Sequence, residues 1–283
     1  MIINLLISVL FGIVEGITEW LPVSSTGHMI ILEEFLKLNV GDATFNREFY
    51  SMFEVVIQLG AILAVIVLFF NKLNPLSLKK TAVEKKETWS LWFKVIVAII
   101  PSGVIGVLLD DFLDARLGNY VVVAIALVLY GLAFIFIERR KNNEPKIVNT
   151  NEITYKTALL VGAFQVLSLI PGTSRSGSTI LGAMLIGLSR TAAAEFSFFM
   201  AIPTMLGASL VRCLKFADYV MDEGVAVSAE ACLVLLVGMA VAFIVSMASI
   251  KFLMDFVKKH SFSAFGVYRI ALGVLVLLYF LIK

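Results

Sequence analysis

Two polar, ionisable stretches are set inside strongly apolar sequence, and they limit what this chain can become. The first is Glu-Gly-Ile-Thr-Glu-Trp-Leu-Pro-Val-Ser-Ser-Thr-Gly-His (15–28), between the apolar runs 2–14 and 29–32. The second is Gln-Val-Leu-Ser-Leu-Ile-Pro-Gly-Thr-Ser-Arg-Ser-Gly-Ser-Thr (165–179). Acids, an imidazole and a guanidinium are costly at membrane depth and there face a cavity, where they act. Proline and glycine interrupt both stretches. Backbone that leaves helical geometry inside a bilayer survives only where protein or a water-filled cavity satisfies it. Regions 1–37 and 157–188 are therefore expected to be re-entrant pairs: a half-helix in, a loop, a half-helix out.

Composition supports the bilayer. Hydrophobic residues make up 60% of the chain and charged ones 16%, with a mean hydropathy of +0.96; soluble domains carry about 25% charge. The chain reads as an all-α integral membrane protein, one membrane domain over 1–283. A net charge of +2 gives no argument for a nucleic-acid partner. Residues 1–14 lack the basic start and small-residue cleavage site of a signal peptide. Cys213 and Cys232 have neither metal-site nor redox spacing and read as free thiols.

Six segments read as crossings: 53–70, 94–109, 120–137, 192–212, 231–250 and 263–282. Basic residues orient them. Lys72, Lys79, Lys80, Lys85 and Lys86 lie in loop 71–93. Arg139, Arg140, Lys141, Lys146 and Lys156 lie in loop 138–156, and Lys251, Lys258 and Lys259 in loop 251–262, with Arg190 ahead of 192–212. Loops 33–52, 110–119 and 213–230 hold only Lys37, Arg47, Arg116 and Lys215, and 110–119 adds Asp110, Asp111 and Asp114. The Lys-rich loops share the inner face only if each broken region returns to its own side. The chain then divides into an inverted-topology repeat, 1–137 and 157–283, with a site between the broken helices. A constant offset that sets Gly12 on Gly162 also sets Glu15 on Gln165, Thr18 on Ser168, Ser24 on Ser174, Thr26 on Ser176 and Gly27 on Gly177.

The residue types define the expected chemistry. Glu15 and Glu19 share one helical face. Two carboxylates in low dielectric repel unless a cation lies between them, and hard oxygen ligands suit Mg²⁺ or Ca²⁺. The plainer reading is a pair of acids on a solvated helix flank. His28 follows Ser25 by one helical turn, which offers a hydroxyl nucleophile and an adjacent base. Ser24, Ser25 and Thr26 are also the residue types that cap helices. Attack by His28 itself, or by water, stays open. Residues 171–179 resemble an anion cradle, with Gly172 and Gly177 giving backbone access and Arg175 a bidentate fork; Arg175 could instead pair with Glu15 or Glu19. Glu54 and Glu195 are placed at the openings of spans. Arg269, in the last span, either pairs with an acid or carbonyl or touches substrate.

The two stretches resemble the signature motifs of the undecaprenyl pyrophosphate phosphatases, the bacitracin-resistance family. The likeness extends nearly end to end, through Phe-Glu-Val-Val-Ile-Gln-Leu-Gly (53–60) and Glu-Phe-Ser-Phe (195–198). It implies hydrolysis of undecaprenyl diphosphate to the monophosphate with a divalent cation, recycling the carrier lipid for peptidoglycan synthesis in a bacterial inner membrane, with the site on the outer face. It also implies functional roles for Glu15, Glu19, Ser24, Ser25, Thr26, His28, Ser174, Arg175, Ser176 and Thr179. Glu19, with Glu15 assisting, would hold the metal; Arg175 and the serines would hold the phosphoryl groups, and the lipid tail would lie in the bilayer. A lipid-phosphate transporter or flippase is the main rival class, and a non-catalytic lipid-binding protein the other. The sequence leaves a homodimer open.

Overall fold

The computed structural model describes residues 1–117, 119–140 and 144–282, without the side chains of 110, 111, 113–115 and 140. The side chains of Asp110, Asp111, Asp114 and Arg140, and Lys141, thus lie outside the described residues. The described chain is helical: α1 (Ile2–Thr18), α2 (Ser25–Phe35), α3 (Ala43–Val56), α4 (Gln58–Leu68), α5 (Phe70–Leu73), α6 (Ala82–Leu117), α7 (Tyr120–Arg140), α8 (Tyr155–Val166), α9 (Arg175–Ile186), α10 (Arg190–Asp222), α11 (Ala229–Lys259) and α12 (Ser263–Ile282). Six helical stretches are long and apolar enough to cross a membrane: Ala43–Leu68, Ala82–Leu109, Tyr120–Arg139, Arg190–Asp222, Ala229–Lys259 and Ser263–Ile282.

Five expected crossings lie within these and 53–70 overruns Ala43–Leu68 by two residues, but the helices also run on into what the sequence reads as loops. α6 continues through most of 110–119, α10 reaches Asp222 and α11 reaches Lys259. Hydropathy marks where apolar side chains are required, whereas a helix continues wherever its backbone stays satisfied, so charged turns extend beyond the apolar window. One placement changes as a result. Glu54, expected at a helix opening, lies in the last turn of α3, because that helix starts at Ala43. Glu195 is in the early turns of α10 and pairs with Lys72.

Both broken regions form helix–loop–helix units, α1–α2 and α8–α9, and their packing is reciprocal. α1 packs against α11, and α8 against α6; α2 touches α7 and α12, and α9 touches α7; α7 and α12 pack on each other. The close approaches match. A Cβ on Gly12 would lie 2.7 Å from the Gly238 carbonyl of α11, and one on Gly162 only 1.8 Å from the Ala98 carbonyl of α6. Only a residue without a side chain permits such backbone contact, the way apolar helices associate where burial from water gives no drive. α6 carries Pro101 and α10 carries Pro203 within the helix. The buried Gln165 amide ties both, donating to Ser102 Oγ (2.6 Å) and Thr204 Oγ1 (3.2 Å). Outward side chains such as Val107, Leu129, Leu236, Ile244 and Leu278 are apolar and exposed, as a lipid-facing surface requires.

Candidate active site

The site forms where the two loops meet. Each loop ends at a serine that caps the next helix. Ser24 has φ 74°, and its Oγ accepts from Gly27 N (3.3 Å) at the start of α2; Ser174 has φ 71°, and its Oγ accepts from Gly177 N (3.1 Å) at the start of α9. They are the two non-glycine residues with positive φ among the described residues. Such strained backbone costs about 1–3 kcal/mol per residue and clusters at functional sites. Here it turns the chain sharply enough to leave the next residue, Ser25 or Arg175, directed at the C-terminal end of α1.

Glu19 is what they face. Ser25 Oγ donates to its Oε2 (2.9 Å), and Arg175 Nη2 donates to its Oε1 (2.9 Å). Ser176 Oγ donates to the Glu19 carbonyl (2.9 Å). Glu19 is 5% exposed, so this pair is screened far less than a surface ion pair. The second Arg175 terminal nitrogen donates to Ser197 O (2.8 Å) and Ser197 Oγ (3.2 Å), and the guanidinium lies 5.7 Å from the Trp20 ring centroid. Thr179 is a support one turn below: it shares a 2.6 Å hydrogen bond with Ser197 Oγ and donates back to Arg175 O. Glu15 is fully buried, yet its Oε1 has no hydrogen-bond partner.

His28 is placed differently from the sequence expectation. Its Nδ1 lies 2.7 Å from the Ser24 carbonyl and its Nε2 2.6 Å from the Tyr268 hydroxyl, with the two rings parallel and 5.6 Å apart. A carbonyl only accepts, so Nδ1 carries the proton and, in the neutral ring, Nε2 accepts from Tyr268. The imidazole is thus held at both nitrogens, and the Ser25 hydroxyl points to Glu19. Thr26 is exposed at the head of α2. Gly172 (φ 91°) and Gly177 lie at the second loop against Arg269, which donates to the carbonyls of Pro22 (3.2 Å), Gly172 (2.9 Å) and Thr173 (3.0 Å). Of the two readings left for Arg269, the carbonyl pairing is seen in the structure. Sequence reasoning missed Tyr268 and Ser197. Ser197 carries a weak signal, since it lies inside the second family-like stretch 195–198; Tyr268 carries none.

The fold and site define a multi-pass helical membrane protein whose polar centre joins carboxylates, hydroxyls and a guanidinium from two interrupted hairpins. The chain belongs to the bacitracin resistance protein family: the model for bacitracin resistance protein BacA matches residues 8–275. It is similar to undecaprenyl-diphosphatase of Enterococcus faecalis, 54% identical with 98% of each chain covered. It is likewise similar to undecaprenyl-diphosphatase 1 of Clostridioides difficile, 57% identical over 96% of this chain and 95% of the relative. Undecaprenyl-diphosphatase of Acetivibrio thermocellus is 55% identical over 99% of this chain and 98% of the relative.

Proposed function

We propose that this chain hydrolyses undecaprenyl diphosphate to undecaprenyl phosphate and inorganic phosphate. In the cell this recycles the lipid carrier for peptidoglycan synthesis and confers bacitracin resistance. The relatives' shared activity over nearly the whole chain supports the reading. The observation that carries it in this molecule is the Glu19 carboxylate held between Ser25 and Arg175, with both helix N-termini beside it. A helix N-terminus presents unpaired N–H groups that suit phosphate oxygens.

The chain's own groups then divide the work. Arg175 and the amides heading α2 and α9 receive the terminal phosphoryl group, so that catalysis is mainly positioning and charge stabilisation. Ser25 Oγ attacks the terminal phosphorus while its proton passes to Glu19 Oε2, which already accepts that hydrogen bond. The bond from phosphorus to the bridging oxygen breaks, and undecaprenyl phosphate leaves. Water then hydrolyses the phosphoserine and restores the hydroxyl. His28 is the rival base and the rival nucleophile; either role requires Tyr268 to release Nε2.

A divalent cation, Mg²⁺ or Ca²⁺, fits beside Glu15 and Glu19. A buried carboxylate oxygen with no partner, at Glu15 Oε1, is what such an ion would satisfy. Among the described residues no cluster of three or more His, Cys, Asp or Glu side chains is present. Two protein carboxylates, with phosphate oxygens and water as the other ligands, match the habit of Mg²⁺. When bound, the ion supplies positive charge against the diphosphate oxygens.

The reciprocal packing of α1 on α11 and α8 on α6 supports re-entrant hairpins within an inverted repeat, 1–137 and 157–283. Basic-residue asymmetry then puts both termini and the site toward the outer face of a bacterial cytoplasmic membrane. Impermeant thiol reagent reaching a cysteine placed at residue 80 from outside would contradict that orientation. The same reciprocity favours a second reading, a lipid-phosphate transporter or flippase. Purified protein in detergent separates the two. Phosphate release from undecaprenyl diphosphate without any gradient is expected; lipid binding with no release would overturn the hydrolytic reading.

A further inference from the structure

Arg269 of α12 is fully buried, yet its hydrogen bonds run to carbonyls only: Pro22 in the first loop, and Gly172 and Thr173 in the second. The face of Tyr130 lies 5.4 Å from its guanidinium. Burying a charge without a charged partner is costly, and a Leu or Met at this position would not incur that cost. The three carbonyls explain its presence. Pro22 lies two residues before Ser24, and Gly172 and Thr173 lead directly into Ser174. One side chain therefore ties the entries to both strained serines.

Gly177, in the first turn of α9, gives an independent observation beside Gly172. The positive φ of Gly172 turns its carbonyl onto Arg269 Nη2. A Cβ on Gly177 would lie 3.1 Å from Arg269 Nη1 and 3.3 Å from Ser174 Oγ. The sequence reads these glycines as room for an anion. In the fold Gly177 leaves room for Arg269, and a Cβ on Gly172 would meet the Val123 carbonyl of α7 at 2.6 Å.

We infer that Arg269 is a positioning residue: it fixes the spacing of the two loops so that Ser25 and Arg175 reach opposite oxygens of Glu19. It acts through backbone and touches no reacting atom. Lysine cannot replace it, because an ammonium lacks the planar fork that spans carbonyls on both loops. The inference rests on reading the Ser25–Glu19–Arg175 centre as the hydrolytic site.

The test is phosphate release from undecaprenyl diphosphate by the purified full chain in detergent, with thermal unfolding followed in parallel, for Arg269→Lys, Gly177→Ala and the double variant. Displacing a catalytic group by about 1 Å costs roughly 10²-fold, and kcat of Arg269→Lys is expected to fall by about that factor. Its KM is expected to change less than its kcat, about threefold at most, because Arg269 itself does not touch the substrate. Gly177→Ala is expected to lose roughly 10-fold in kcat by the same displacement, in smaller measure. The double variant is expected to fall no more than about twofold below Arg269→Lys alone, because two changes to one latch do not add. Wild-type kcat in Arg269→Lys, losses that multiply, or a raised KM with intact kcat would each overturn the inference. If Arg269→Lys does not fold, Gly177→Ala decides: lowered kcat at unchanged melting temperature upholds the latch, and unchanged kcat removes it. Full activity of Glu19→Gln and Arg175→Lys in the same assay would instead sink the site reading, whatever Arg269 variants do.

Discussion

The loops at Ser24 and Ser174 are built alike and equipped differently. Each serine takes positive φ, caps the next helix through its own hydroxyl and binds the amide of a glycine three residues on. The residue after the serine then differs: Ser25 in one loop, Arg175 in the other, and both grip the same Glu19. A turn earlier, Glu15 and Gln165 each keep one unpartnered oxygen, and only Gln165 has an amide nitrogen, which is committed to Ser102 and Thr204. One hairpin geometry therefore serves as scaffold twice. The first hairpin holds the Ser25 hydroxyl and the two acids, and the second holds Arg175. The turn sets where a side chain points; the chemistry depends on which side chain is there.

Substitutions can break this comparison at its centre. Glu19→Gln is expected to remove turnover, by about 10³-fold or more, because it deletes the charge that both loops share and the acceptor of the Ser25 proton. Arg175→Lys keeps the charge but loses the fork, for an expected loss of roughly 10²-fold in kcat. Steady-state phosphate release by each variant checks both. Wild-type rates in Arg175→Lys would make that arginine a structural counter-ion and nothing more.

A smaller effect sharpens the likeness. Ser24→Ala and Ser174→Ala each delete one cap oxygen while keeping the same strained φ. Each is expected to lower stability by about 1 kcal/mol, read as matching shifts in thermal unfolding. Clearly unequal shifts would mean that the two turns are not equivalent supports.

Much of this was legible in the sequence, for identifiable reasons. Bilayer-length apolar runs mark the six crossings, and Pro, Gly and charge inside apolar sequence mark both hairpins. The pairing of Arg175 with an acid was among the sequence alternatives, since a guanidinium and a carboxylate at membrane depth seek each other. Helix ends were not legible, because α6, α10 and α11 continue past their apolar windows. The partner of His28 was hidden for another reason. Helical spacing offers only near neighbours, such as Ser25, whereas the hydroxyl that meets Nε2 belongs to Tyr268, 240 residues away. The neighbours of Gly172 and Gly177 were hidden likewise, because Val123 comes to the first from α7 and Arg269 to the second from the last helix.

The most direct test of the central claim is to trap the covalent intermediate. Enzyme is mixed with undecaprenyl diphosphate labelled at the terminal phosphorus, quenched after a short pulse and divided between acid and base. The account predicts acid-stable label on Ser25, lost in Ser25→Ala. Acid-labile, base-stable label on His28, with Ser25→Ala largely active, would contradict it, as would turnover that leaves no label on the protein.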